Sequence, residues 1–181
     1  MLSTTLWLLL VLIPLQIFLG DASGLITEHY QPAKLAAIEA RWDTGSRVPL
    51  TLFAIPDEKH AVNHDAIEVP DLGSLILTHD LNGTVRGLKD FPREDWPPVA
   101  IPFFAFRIMV GIGLLMLAIV VVGNLLRTGD RVFAHRWFLR VCQLGAPLGF
   151  IAVLAGWTTT EVGRQPWTVY GLLRPADSVT P

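Results

Sequence analysis

The sequence predicts an all-α membrane protein: three transmembrane helices and a long extracytoplasmic loop that contains a short amphipathic helix. Three observations predict it. The chain is 51% hydrophobic and only 17% charged, with a mean hydropathy of +0.47, too apolar for an ordinary soluble domain. Three apolar segments approach or exceed the ~20 residues needed to cross a hydrocarbon core of ~30 Å. Charge is also divided unevenly: residues 21–100 hold 13 acids and 7 bases, and the rest of the chain holds 3 acids and 7 bases.

The first transmembrane helix is expected over residues 1–20, because Leu2 to Leu19 carries no charge. Pro14 is tolerable there, since neighbouring helices can satisfy the freed carbonyl. Small residues at Gly20, Ala22 and Ser23 also suit a signal-peptide cleavage site, but no positive residue precedes the apolar run, so an uncleaved helix is expected. The second helix is expected over 102–126, interrupted only by Arg107, and the third over 137–162, interrupted only by Arg140. Arg127, Arg131, Arg136 and Arg140 cluster around the short connection 127–136, which the positive-inside rule makes cytoplasmic. The loop 21–101 and the tail 163–181 then face outward. Three helices leave little room for a private core, so further helices are expected as partners.

Within the loop, Gly20 to Gly24 reads as a turn-rich exit. Gln31 to Trp42 reads as an amphipathic helix with Pro32 near its start and Leu35, Ile38 and Trp42 on one face. Val48 to Pro56 reads as extended. Ile67–Val69 and Ser74–Thr78 read as short strands, with Asp80–Gly83 as a turn between Leu77 and Val85. A connection this long is functional or disordered as a rule. Its apolar residues are spread out, which suggests a lid on the membrane domain rather than a free domain.

Several residues can carry chemistry. Trp157, Glu161 and Arg164 share one helix face at i, i+4, i+7, where an apolar run passes into ionisable residues. A charge at membrane depth costs a few kcal/mol or more and faces a cavity, a partner or a cofactor. The spacing fits equally a helix-end ion pair and a functional wall. Lys34 and Glu39 lie five positions apart, about 140° around a helix, too far to pair with each other. Arg107 either snorkels to the interface, pairs with an acid elsewhere, or meets a haem propionate. Met109, Gly113 and Met116 share a face; the pattern fits packing, and it also fits sulfur ligation of a flat macrocycle beside a glycine gap. None of the five histidines lies in an expected membrane segment, and they show no metal-ligand spacing. The single Cys142 excludes an intrachain disulfide. There is no phosphate loop, nucleophile elbow or basic stretch, so no nucleic acid is expected as a partner.

Four ordered stretches resemble subunit I of the cytochrome bd-type quinol oxidases: Gly20-Asp21 after an apolar helix, Gln31-Pro-Ala-Lys-Leu-Ala-Ala-Ile-Glu-Ala-Arg-Trp42, Pro102-Phe-Phe-Ala-Phe-Arg-Ile-Met109 and Glu161-Val-Gly-Arg-Gln-Pro-Trp167. The compact loop and the run Gly73-Ser-Leu-Ile-Leu-Thr-His79 resemble the cyanide-insensitive branch. The resemblance implies a bacterial inner-membrane quinol:oxygen oxidoreductase whose periplasmic loop oxidises ubiquinol. It implies quinol contacts at Lys34 and Glu39, and Met109 as an axial ligand of low-spin haem b with Arg107 its electrostatic neighbour. Glu161 would ligate the iron of high-spin haem b beside haem d, or a haem b in its place, where oxygen is reduced. Trp157 would lie between haems, and Arg164 and Trp167 would hold propionates. Oxidase subunit II and the remaining helices of subunit I are the implied partners. The family's histidine-bearing helices would precede Met1 and its last helix would follow Pro181. The resemblance therefore implies a fragment, inactive when isolated; the rival expectation is a truncated non-catalytic membrane protein or assembly partner.

Overall fold

The computed structural model describes residues 2–127 and 135–178. Ten elements of regular structure follow in order: α1 (Leu2–Tyr30), α2 (Pro32–Ile38), β1 (Gly45–Ser46), β2 (Leu50–Asp57), β3 (Val62–Val69), α3 (Leu72–Thr78), β4 (Thr84–Val85), α4 (Ala100–Arg127), α5 (Arg136–Leu144) and α6 (Leu148–Gly163). Short 3-10 turns occupy Leu88–Asp90, Arg93–Asp95 and Pro175–Asp177. Three helical spans, Ser3–Tyr30, Ala100–Arg127 and Arg136–Gly163, are long and apolar enough to cross a membrane.

The chain forms two compact units: Met1–Gly20 with Ile108–Ala155, and Asp21–Arg107 with Gly156–Pro181. In the first, Leu6, Ile13, Val120 and Phe138 are buried together. Gly123 allows a close approach there: a Cβ would lie 2.6 Å from Phe138 Cζ and 2.8 Å from Leu6 Cδ2, and those side-chain ends would have to shift. Asn124 Nδ2 donates to the Leu6 carbonyl at 3.0 Å, and Arg127 Nη1 donates to the Ser3 carbonyl at 3.3 Å. Most of the connection expected at 127–136 lies outside the described residues.

The second unit has a core of its own: Ala33, Ala36, Ala37, Ala40, Trp42, Ala54, Ala61, Leu88, Val99 and Phe103. The expectation of a loop with scattered apolar residues is corrected here. Alanines close the packing around α2, burying Ala33, Leu35, Ala36, Ala37 and Ile38, so the helix is enclosed rather than amphipathic. It is also shorter than expected. Glu39 caps it, and Ala40 turns into a left-handed conformation at φ 48°.

Strands β2 and β3 form an antiparallel hairpin with Leu50 opposite Val69 and Asp57 opposite Val62, broken by two register shifts. Strand β4 pairs with β1 rather than folding back on the segment before it. The expected strand Ser74–Thr78 is instead α3. Gly73 packs so closely that a Cβ would lie 2.5 Å from the Pro49 carbonyl oxygen, and Thr78 Oγ1 donates to the Ser74 carbonyl at 2.8 Å, the bond of a helical turn. The protein is thus mostly helical, with two small sheets in the loop.

Two helix boundaries also differ. Helix α1 continues past Leu19 to Tyr30, because Gly20 and Gly24 have open space around them and impose no turn. Its Asp21 carboxylate lies 2.9 Å from His79 Nε2. The third span breaks at Gly145-Ala146-Pro147 into α5 and α6, since Pro147 has no N–H to continue the ladder.

Candidate functional site

Arg107, in the second turn of α4, is the centre of the second unit. A guanidinium has five N–H donors, and five bonds are made. Nε and Nη2 donate to the Thr51 carbonyl at 3.1 and 2.5 Å. Nη1 donates to the carbonyls of Ile38 and Phe103 at 2.9 and 3.1 Å. Nη2 also donates to Glu39 Oε2 at 3.1 Å. The guanidinium carbon lies 3.5 Å from the centre of the buried Phe103 ring. Of the alternatives open from sequence, Arg107 has an acidic partner, and it is Glu39. The side chains are 17% and 6% exposed, so this is a buried pair. Burial pushes the Glu39 carboxyl above its ordinary range, and Arg107 opposes that shift.

Lys34, five positions earlier, points to a different helix. A Cβ placed on Gly163 of α6 would lie 3.5 Å from Lys34 Cγ, 3.5 Å from Pro102 Cβ and 3.8 Å from Ile38 Cγ1. Helix α2 is therefore seated against both the start of α4 and the end of α6, and the small residue at 163 permits the approach. Burial lowers the affinity of the Lys34 ammonium for its proton; the nearby Arg164 lowers it further, and Glu161 acts in the opposite sense.

Glu161 and Arg164 form the helix-end ion pair, Nη2 to Oε2 at 2.5 Å, with the side chains 42% and 37% exposed. Arg164 Nε is buried and has no acceptor among the described residues. Trp157 is 65% exposed. Trp167 tilts against Tyr170 at 6.2 Å between ring centres. So the second unit brings together six of the eight residues singled out from sequence, Lys34, Glu39, Arg107, Glu161, Arg164 and Trp167, through α2, the start of α4, the end of α6 and the segment after it. Trp157 belongs to the same unit but stays exposed.

Met109 belongs to the first unit. It is half-buried on α4, and the glycine one turn on, Gly113, has nothing within 4 Å of a Cβ position. Met116, the third residue of that face, lines an apolar cavity of about 240 Å³ with Leu6, Ile13, Val120 and Cys142. Among the described residues no three His, Cys, Asp or Glu side chains gather as a metal-binding group.

Sequence reasoning missed Thr51, Ile38 and Phe103 as acceptors for Arg107, and Arg174, which bonds Asp95. Their separations from their partners, 56 to 79 positions except for Phe103, leave no periodic signal.

Fold and site together define a multi-pass membrane protein in which an enclosed loop carries buried charge onto the ends of two membrane helices. The family model for cytochrome bd terminal oxidase subunit I matches residues 1–181, and the chain belongs to that family. It is 38% identical over 175 residues to the cytochrome bd ubiquinol oxidase subunit 1 of Bacillus subtilis, covering 90% of this chain and 37% of that protein. A putative cytochrome bd menaquinol oxidase subunit I from the same organism is 34% identical over 164 residues, with 89% and 36% covered. The cytochrome bd-II ubiquinol oxidase subunit 1 of Escherichia coli is 28% identical, with 86% and 43% covered. The solved bd oxidase of Geobacillus thermodenitrificans superposes with a TM-score of 0.81 at 34% identity, covering 94% of this chain and 39% of that one. The chain thus spans about two fifths of the length of these relatives.

The family implies haem. Two observations fit it: the buried, unmatched Arg164 Nε is a donor suited to a carboxylate such as a propionate, and the bare helix surface at Gly113 beside the Met109 thioether suits a flat ring.

Proposed function

We propose that this chain supplies the quinol-oxidising loop and part of two haem sites of a bd-type quinol:oxygen oxidoreductase in the bacterial inner membrane, with the loop on the periplasmic side. The observation that carries it is the seating of α2. One helix presents Lys34 and Glu39, the residues assigned to quinol, and locks onto Arg107 of α4 and against the Glu161–Arg164 end of α6. The proposed quinol residues thus share one compact unit with Arg107, Glu161, Arg164 and Trp167, while Met109 belongs to the other unit.

Oxidising a quinol releases two electrons and two protons. Arg107 holds Glu39 Oε2, so Oε1 is the oxygen we assign to a quinol hydroxyl proton, and a carboxyl with raised proton affinity suits that task. Lys34 Nζ, whose proton is held less tightly than usual, orients the other hydroxyl and, in its neutral form, takes the second quinol proton. Haem, when bound, supplies the electron acceptors and the site of oxygen reduction. Met109 is the proposed axial ligand of low-spin haem b. Glu161 is the proposed ligand at high-spin haem b beside haem d, or a haem b in its place, and would release Arg164 Nη2 to serve. Trp157 is the proposed aromatic between haems, and Arg164 and Trp167 the propionate contacts. Arg107, with its donors engaged, acts on haem through its field. Oxidase subunit II and the remaining subunit I helices complete the enzyme, in contact with lipid; ubiquinol and oxygen are the substrates.

The test is the reduced-minus-oxidised spectrum of membranes that hold this chain with those partners. Low-spin haem b bands and ubiquinol-dependent oxygen uptake are expected, and Met109→Leu should alter the low-spin band. Absence of any haem signal from the assembled complex would overturn the reading.

A further inference from the structure

We propose that Arg174 is a positioning residue that clamps the turn after α6 onto the end of the loop, keeping Arg164 and Trp167 in register with α2; this rests on the quinol and haem reading above. The turn is a built structure. Thr168 and Val169 N–H donate to the Leu173 carbonyl at 2.8 and 3.1 Å, Leu173 N–H donates back to Val169 at 2.9 Å, and Gly171 takes the φ of +73° that closes it. Arg174 follows immediately. Its Nη2 donates to Asp95 Oδ1 at 2.6 Å and lies 3.8 Å from Glu94 Oε1. The same guanidinium carbon sits 4.9 Å from the centre of the Trp167 ring.

Asp95 belongs to the 3-10 turn that leads into α4, so the clamp ties the segment following α6 to the segment preceding α4. Tyr170, between Trp167 and Arg174, packs against the loop core and gives the turn a second hold. Only a planar guanidinium can bond a carboxylate edge-on while lying against an indole; an ammonium keeps the charge and loses the stack. Arg174 touches neither Lys34 nor Glu39, so it acts through Trp167 and the turn.

The experiment is amide exchange on the full chain in lipid nanodiscs, for wild type, Arg174→Ala and Arg174→Lys, with α2 as internal control. We expect exchange at 168–173 to rise about tenfold or more in Arg174→Ala, less in Arg174→Lys, and to stay unchanged in α2. Unchanged exchange at 168–173 would overturn the clamp, and a parallel rise in α2 would reduce it to general loosening. In membranes holding the assembled oxidase, Arg174→Ala should keep its haem content while the KM for a short-chain ubiquinol rises more than kcat falls, with partial rescue in Arg174→Lys. Unaltered KM and kcat despite faster exchange would overturn its part in the reaction. Failure of the functional reading itself is separate: it is a wild-type complex without haem bands, whatever the exchange result.

Discussion

Replacing Arg107 with alanine should be the most damaging single change in the loop unit. It strips hydrogen bonds from the carbonyls of Ile38 and Thr51 and leaves the Glu39 carboxylate, 5% exposed, without its counter-charge. Removing one partner of a buried pair costs about 3–5 kcal/mol, so amides that open with the unit should exchange about 10² to 10⁴ times faster. Amide exchange of α2 and β2 in detergent micelles reads this directly. The cost has a pH signature. Glu39 has a folded-state proton affinity raised by burial, and losing Arg107 raises it further. A raised acid contributes stability that is present below its unfolded pKa and lost as pH rises through the folded value. Arg107→Ala should therefore come closest to wild type in acid, near the unfolded value of 4.5 or below, and worsen toward neutrality. Adding Glu39→Gln should recover part of the loss at neutral pH. A pH-independent cost, a cost under 1 kcal/mol, or a double variant as unstable as the sum of the singles would refute the buried-pair account.

Three further outcomes are expected. Lys34 has a lowered proton affinity, so stability should rise with pH in the window between its folded value and 10.5, and its labelling by an amine-acylating reagent, read by mass spectrometry, should reach half-maximum at a lower pH than for a free lysine peptide. Ser74, fully buried, accepts from Val48 N–H at 2.9 Å and donates to the Gly83 carbonyl at 2.9 Å; Ser74→Ala should cost about 1–3 kcal/mol, visible as faster exchange of the Val48 amide. Glu58 Oε1 accepts from the N–H groups of Val99 and Ala100 at 2.7 and 3.3 Å and so caps the first turn of α4 from the β2–β3 turn; Glu58→Ala should cost about 0.5–2 kcal/mol and Glu58→Gln less, read from the melting of that turn by amide exchange.

The membrane spans were legible because length and apolarity alone decide whether a helix can cross. The loop was legible only in part, because its packing rests on residues that carry little pattern. Alanines at 33, 36, 37 and 40 read as neutral filler, yet they close the core around Trp42 and Phe103. The run Ser74 to Thr78 has strand propensity, and the fit of Gly73 under the Pro49 carbonyl overrode it. Gly20 to Gly24 looked like a turn, but glycines are permissive rather than obligatory breakers, and the helix runs through them. The resemblance carried the candidate residues; spacing alone left each with an ordinary alternative.

The one spacing result that gained meaning is the offset between Lys34 and Glu39. Being about 140° apart on a helix, they cannot satisfy each other. A seven-residue helix with charges on different sides is unstable alone, and burying a charge is costlier still unless it meets a partner. For Glu39 the partner is Arg107 of α4; the Lys34 stem packs at Gly163, and its ammonium lies near both Arg164, which repels it, and Glu161, which attracts it. Had the charges stood four apart, they would have closed on one another, and Glu39 would have been drawn away from Arg107 of α4. The poor intrahelical geometry thus leaves Glu39 free to hold Arg107 of α4 while the Lys34 stem packs at the end of α6, and this seating sets the proposed quinol residues near Glu161 and Arg164.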